Sequence, residues 1–197
     1  MTKFEVLDQL VLAGNGYLQT AAVVESGISK PTLAEYIKAR NLEKVAHGIY
    51  ITRETWPDPF FLLYLRNKKI VFSLETALYL HDLGDREPFY LTVTVPKGYN
   101  DSHLKEMGVK VVHSKPEWYS MGIVNITTHN GNSVPAYDID RTICDLIRCK
   151  KAIEIQTFQT ALNEYMHSKR KNLINLSQYA AALGISDKVR TYTEVML

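Results

Sequence analysis

The feature that most constrains this chain is the density of helix stop and start signals between residues 14 and 31. Gly14-Asn15-Gly16 ends one amphipathic segment, in which Phe4, Val6, Leu7, Leu10 and Val11 recur at helical spacing. Glycine adopts the positive φ that a helix C-terminal stop needs. Tyr17-Leu18-Gln19 is too short for a helix and reads as a small strand. Thr20 is placed to cap a short second helix over Ala21 to Glu25. Ser26-Gly27-Ile28 forms a tight turn. Ser29 then caps a third helix, with Pro31 in the first turn, where a missing N–H does no harm. Leu33, Ile37 and, in one reading, Tyr36 form its inward stripe, and it ends near Asn41. Two strand-like runs follow, Leu42-Glu43-Lys44-Val45 and Ile49-Tyr50-Ile51-Thr52, around a tip at Ala46-His47-Gly48.

Helix, short strand, helix, turn, helix, β-hairpin is the order of a winged helix-turn-helix. Such a unit reads DNA because the major groove admits one α-helix. The outward residues of the third helix are expected to be Lys30, Thr32, Glu35, Tyr36, Lys38 and Ala39, with Arg40 near its end. Ser29, Lys30 and Thr32 stand at its N-terminal end, which reaches furthest towards the bases. Thr20 begins the second helix, and backbone N–H groups at both helix starts suit phosphate. Lys44, His47 and Arg53 put charge on or beside the hairpin. The expected DNA-facing set is therefore Thr20, Ser29, Lys30, Thr32, Tyr36, Lys38, Arg40, Lys44, His47 and Arg53. The opposing reading makes Lys38 and Arg40 a solvated face and His47 a turn residue. Glu35 repels phosphate unless it accepts from a cytosine amine or pairs with Lys38.

Net charge tells little over the whole chain, at +2, but more by region. It is +1 over residues 1–53, −3 over 54–140 and +4 over 141–197. An acidic middle thus masks two more basic ends, and local basic excess attracts phosphates even in a near-neutral chain. With 46% hydrophobic and 22% charged residues the chain has the composition of a folded domain. It has no apolar run long enough to span a bilayer and no basic-then-apolar leader at Met1-Thr2-Lys3. Its two cysteines, Cys144 and Cys149, are too few for a disulfide framework. A soluble, cytoplasmic protein without a membrane partner is the expectation.

Thr55-Trp56-Pro57-Asp58-Pro59 reads as a linker, because two prolines in three residues oppose helix and strand alike. The organisation expected is a winged helix-turn-helix over 1–54, a linker over 55–59 and a larger domain over 60–197. That domain reads as α+β, with a small, mostly antiparallel sheet and C-terminal helices. Phe60 to Leu65 reads as a helix, and Ser73 is placed to cap another over Leu74 to His81. Phe89 to Val95 is a strand by composition, and Val109 to His113 a second. Ile123 to His129 and Ser133 to Tyr137 flank Asn130-Gly131, a hairpin signal. Asp140 to Arg148 reads as a helix capped by Asp140, with Arg141 tying down nearby carboxylates. Helical spacing returns in Ile155, Phe158, Leu162, Tyr165 and Met166, then from Leu176 to Leu183, then from Ser186 to Val195.

Catalytic signatures are absent: no phosphate-binding Gly-rich loop, no G-x-S-x-G and no H-E-x-x-H. Cys144 and Cys149 are set apart around one helix and read as small hydrophobes. His81-Asp82 reads as a helix terminus rather than a metal dyad. No catalytic residue, metal or cofactor is expected. The basic residues Lys150, Lys151, Lys169, Arg170, Lys171, Lys188 and Arg190 are helix-end cations in one reading and a second polyanion surface in another.

Four segments together carry a family likeness. They are the hairpin end His47-Gly48-Ile49-Tyr50, the run from Val71 to Leu83, and Leu91-Thr92-Val93-Thr94-Val95-Pro96 followed by Tyr137 to Leu146. The chain resembles the AbiEi-type antitoxins of bacterial abortive-infection (phage-resistance) systems, which are type IV toxin–antitoxin systems. The likeness covers nearly the whole chain and rests on order and combination, since none of these segments is a catalytic motif. It implies an N-terminal domain that binds inverted repeats in the promoter of its own operon and represses it. It also implies a C-terminal domain that neutralises a nucleotidyltransferase-like toxin without needing a stable complex. Two other readings use the same elements. One is a nucleotide- or RNA-directed enzyme docked by a winged helix, which a metal-dependent turnover lost on replacing His81 or Asp138 would favour. The other is a ligand-sensing transcription regulator, which thermal stabilisation by a metabolite would favour.

Overall fold

The computed structural model describes residues 1–84 and 86–196, with side chains described up to residue 194. The chain divides into two compact units. The N-terminal unit is Met1–Leu63 with His129–Asn132; the C-terminal unit is Tyr64–Thr128 with the residues from Ser133 on.

The N-terminal unit begins with α1 (Lys3–Ala13), closed at its start by a capping box in which Thr2 and Glu5 satisfy each other's backbone N–H. It continues through β1 (Tyr17–Gln19), α2 (Thr20–Glu25), α3 (Lys30–Ala39), β2 (Glu43–Ala46) and β3 (Ile49–Ile51). The strands form an antiparallel sheet in the order β1-β3-β2. Leu7, Leu18, Val23, Ile28, Leu33 and Tyr36 make one core from all three helices, with Phe4, Ile37 and Tyr50 packed on it. Two expectations change here. Thr20 is the first helical residue of α2 rather than its cap; Gln19 holds the N-cap position without a side-chain bond. The 55–59 stretch is fastened rather than loose. Asp58 is buried, and its Oδ1 accepts from Phe60 and Phe61 N–H at the start of α4 (Pro59–Arg66). Its own N–H donates to the Tyr17 hydroxyl at 2.8 Å, and its Oδ2 accepts from Asn132 Nδ2 at 2.9 Å. The division between units falls after Leu63, inside α4.

In the C-terminal unit, β4 (Val71–Phe72), α5 (Leu74–Leu80), β5 (Thr92–Pro96), α6 (Ser102–Glu106), β6 (Lys110–Ser114) and α7 (Pro116–Tyr119) are followed by β7 (Ile123–Thr127), β8 (Ser133–Tyr137) and α8 (Ile139–Arg148). A 3₁₀ turn at Lys150–Ala152 leads to α9 (Ile155–His167), α10 (Leu173–Ala182) and α11 (Ser186–Met196). Five strands lie in the order β6-β5-β4-β8-β7. The pairs β4–β5 and β7–β8 are antiparallel, and β4–β8 and β5–β6 parallel, so this sheet is mixed. Parallel pairing needs a crossover connection; α6 lies between β5 and β6, and all the elements from α5 to β7 lie between β4 and β8. The strand expected from Phe89 begins at Thr92, leaving Phe89 and Tyr90 exposed.

α8 is the axis of this unit. Every residue from Ile139 to Ile147 is buried, three of them charged. A charge removed from water needs a countercharge or hydrogen bonds; Arg141 and Asp145 pair with each other, and Asp140 is held by neutral donors. Asp138, not Asp140, caps the helix by accepting from Arg141 N–H at 2.7 Å. Asp140 Oδ1 instead accepts from the Tyr165 hydroxyl and from Asn172 N–H, which ties α8 to α9 and to the start of α10. Arg141 Nε donates to Asp145 Oδ2 at 3.0 Å, and its Nη1 to the carbonyls of Trp118 and Met121. Its guanidinium lies 4.3 Å from the centre of the Tyr137 ring. Within the run from Tyr137 to Leu146, the polar side chains of Asp138, Asp140, Arg141 and Asp145 are thus spent on internal bonds.

Candidate nucleic-acid interface

The turn between α2 and α3 depends on Gly27, whose φ is +79°. Open space surrounds the position, so backbone conformation rather than crowding selects glycine there. Ser29 accepts from Thr32 N–H and bonds the Thr32 hydroxyl at 3.0 Å, which fixes the start of α3. Pro31 occupies the first turn. Leu33 and Tyr36 point into the core with Ile37 beside them, while Lys30, Pro31, Ala34, Glu35, Lys38 and Ala39 are exposed. Together they form one solvent-facing surface along the helix.

The β2–β3 hairpin is held next to this helix pair by backbone bonds. Thr20 N–H donates to Gly48 O at 2.8 Å, and Thr52 N–H to Gly16 O at 3.1 Å. The first N–H of α2 is thereby used internally. Gly48, at φ +68°, forms the tip with His47. Lys44, His47 and Arg53 are exposed.

Tyr36 is a correction. It is 1% exposed and belongs to the core, not to the outward face. Its hydroxyl donates to Asp8 Oδ1 at 2.7 Å, and its ring meets Phe4 edge-on at 5.2 Å. Burial, reinforced by the Asp8 carboxylate, pushes the phenol up to about 12. Arg40 shares the same carboxylate: its Nη2 donates to Asp8 Oδ2 at 2.7 Å, with both side chains about half exposed. The Tyr36 hydroxyl bond, followed by the Arg40 bond, holds the Asp8 carboxyl below its ordinary value. The Asp8–Tyr36–Arg40 group thus clamps the last turns of α3 to α1. Sequence reasoning missed Asp8; its only signal was an acidic residue among the helical apolar positions of α1.

The second basic set divides. Lys150 Nζ donates to the Tyr192 hydroxyl at 2.8 Å and lies over the Phe158 and Tyr192 rings. Arg170 donates to the His81 carbonyl, and Lys171 to that of Met166. Lys151, Lys169, Lys188 and Arg190 are exposed, the last two on α11.

Burial pushes the Cys144 thiol up to about 12 and raises that of Cys149, which disfavours a reactive thiolate at either. Burial lowers the pKa of His81, whose Nε2 bonds the Tyr137 carbonyl at 2.7 Å. Among the described residues, no group of three or more His, Cys, Asp or Glu side chains is placed to hold a metal ion. Nor is any helix among them long and apolar enough to cross a membrane.

No protein-family model and no curated protein matches the chain. Among solved structures it is similar to the crystal structure of the RV2827C protein from Mycobacterium tuberculosis. The match covers 93% of this chain and 75% of that one, with a TM-score of 0.57 and 12% identity. At that identity the likeness is one of fold: an α+β arrangement with a small sheet and C-terminal helices.

Proposed function

We propose that this chain is a DNA-binding antitoxin and autorepressor of a bacterial abortive-infection, type IV toxin–antitoxin operon. In this reading the N-terminal unit is a winged helix-turn-helix, with α3 as recognition helix and the β2–β3 hairpin as wing. The observation that carries it is the two-sided character of α3. Leu33 and Tyr36 anchor it, while Lys30, Lys38 and the Ser29-bonded Thr32 stand on or beside its solvent side. Lys44, His47 and Arg53 flank that face with further donors suited to phosphate. The family likeness of the sequence supplies the operon context: inverted repeats in the promoter as ligand, and a nucleotidyltransferase-like toxin neutralised through the C-terminal unit without needing a stable complex.

The test uses the full chain and its own promoter DNA. Lys30→Glu with Lys38→Glu should weaken binding by a hundredfold or more, while Lys97→Glu, an exposed residue of the C-terminal unit, should leave it unchanged. Co-expressed with the toxin gene next to its own, the double variant should lose promoter repression and keep growth rescue. Promoter binding that survives the double substitution would sink the DNA assignment. Failure of the full wild-type chain to rescue growth would sink the antitoxin assignment separately.

A further inference from the structure

The five-stranded sheet has two edges of opposite character. The β6 edge is guarded in the ordinary way, by exposed Lys110 and His113 and by Lys115-Pro116 directly after it. The β7 edge, Ile123-Val124-Asn125-Ile126-Thr127, has no charged residue, no proline and no glycine. Three of its residues are β-branched aliphatics and a fourth is threonine, all strand formers. Four of the five are exposed, Ile123 and Val124 each at 37%.

The bonding phase of β7 is fixed. Asp138 N–H donates to Gly122 O at 2.7 Å, and the register pairs Ile123 with Tyr137, Asn125 with Pro135 and Thr127 with Ser133. Antiparallel ladders alternate bonded and non-bonded pairs. Gly122, Val124 and Ile126 therefore turn their backbone groups towards β8. Ile123, Asn125 and Thr127 turn theirs away from it. Pro135 fits this phase, since its missing N–H falls opposite Asn125, where β8 exchanges no bond with β7. Three N–H and three C=O groups in a row thus line the outer edge, and no backbone bond among the described residues reaches them.

We propose that this edge pairs with the same strand of a second copy of this chain, antiparallel, about a two-fold axis at Asn125. That register satisfies every outward group. Asn125 exchanges both bonds with its counterpart, and Ile123 exchanges both with Thr127 of the other copy, which gives six backbone hydrogen bonds across the axis. Val124 then faces Ile126 of the other copy, a β-branched cross-strand pair of the stabilising kind. A neutral strand offers an oppositely charged partner nothing, whereas two identical neutral strands meet without repulsion. Two five-residue strands bury well under the ~1,200–2,000 Å² of a standard stable interface, so the dimer is a weak one.

Sedimentation equilibrium on the full chain, from about 10 µM to 1 mM, tests this. The wild type should show a reversible monomer–dimer equilibrium. Asn125→Pro removes an outward N–H that β8 does not use and should leave monomer with unchanged circular dichroism. Asn125→Lys and Asn125→Glu should each weaken self-association at least tenfold, and their equimolar mixture should restore the dimer, because the opposed residues then carry opposite charge. A wild type that stays monomeric throughout overturns the proposal. So does self-association as strong in Asn125→Lys as in the wild type, or a mixture that stays monomeric.

Discussion

The sharpest energetic consequence lies at Arg141. Its side chain is 1% exposed, and the one carboxylate that faces its Nε, Asp145, is 4% exposed. Arginine cannot shed its proton to escape burial. Asp145→Asn keeps the volume and removes the countercharge that Arg141 shares with the partly exposed Arg148, which leaves the buried Arg141 guanidinium with neutral partners alone, the new amide oxygen, the Trp118 and Met121 carbonyls and the Tyr137 ring face. Breaking a buried pair by deleting one partner costs about 3–5 kcal/mol. For a unit of this size that is a fall of roughly 10–18 °C in melting temperature. Thermal unfolding followed at 222 nm and by Trp118 fluorescence measures it. The sign of a second substitution is more telling than the size of the first. Adding Arg141→Met removes the stranded charge, so the double variant should be more stable than Asp145→Asn alone. A loss under about 1 kcal/mol for Asp145→Asn, or a double variant weaker still, would refute the reasoning.

Further consequences are smaller. His81 has a folded pKa below its ordinary value near 6.5, chiefly because it is buried. As pH falls through 6.5 the unfolded chain takes up this proton before the folded one, so His81 contributes a loss of stability on the acid side and none above. Melting temperatures at about pH 7.5 and pH 5 should differ less in His81→Gln than in the wild type; an unchanged difference would show that His81 does not set it. Tyr36→Phe should cost about 0.5–1.5 kcal/mol through its bond to Asp8 and leave promoter affinity unchanged. A change in operator preference would return Tyr36 to the DNA face. Gly122→Ala should destabilise the C-terminal unit, since φ there is +78° and an added Cβ would come within 2.9 Å of Arg141 Cβ. Chemical denaturation would show it as a lower midpoint.

The readability of the chain followed the range of the interactions. Ser29, Pro31, Leu33 and Ile37 announce α3 because cap, proline and period all act within a turn or two. Tyr36 was ambiguous, since its partner Asp8 lies 28 residues away and no local pattern shows that a phenol turns inward to meet it. Asp58 reads as linker for the same reason: Tyr17 and Asn132, 41 and 74 residues distant, make it an anchor. β4 spans two residues and carries no period at all, yet it sits at the centre of the five-stranded sheet. Phe89 and Tyr90 mislead in the other direction: strand composition does not supply a strand partner, and the ladder with β6 starts at Thr92. Asp138 and Asp140 are both plausible caps by position, and only the Tyr165 and Asn172 donors single out Asp140 as a cross-link.

The central claim, that the exposed face of α3 and the adjoining hairpin engage nucleic-acid phosphates, is tested most directly by salt. Promoter affinity of the full chain, measured by fluorescence anisotropy across about 50–300 mM potassium chloride, should fall linearly on logarithmic axes. With Lys30, Lys38, Lys44 and Arg53 each on one phosphate, the four contribute about −3.6 to the slope, at ~0.9 per contact. Replacing all four with glutamine should flatten it by about that amount. A slope near zero in the wild type, or one that the four substitutions leave unaltered, would contradict the account.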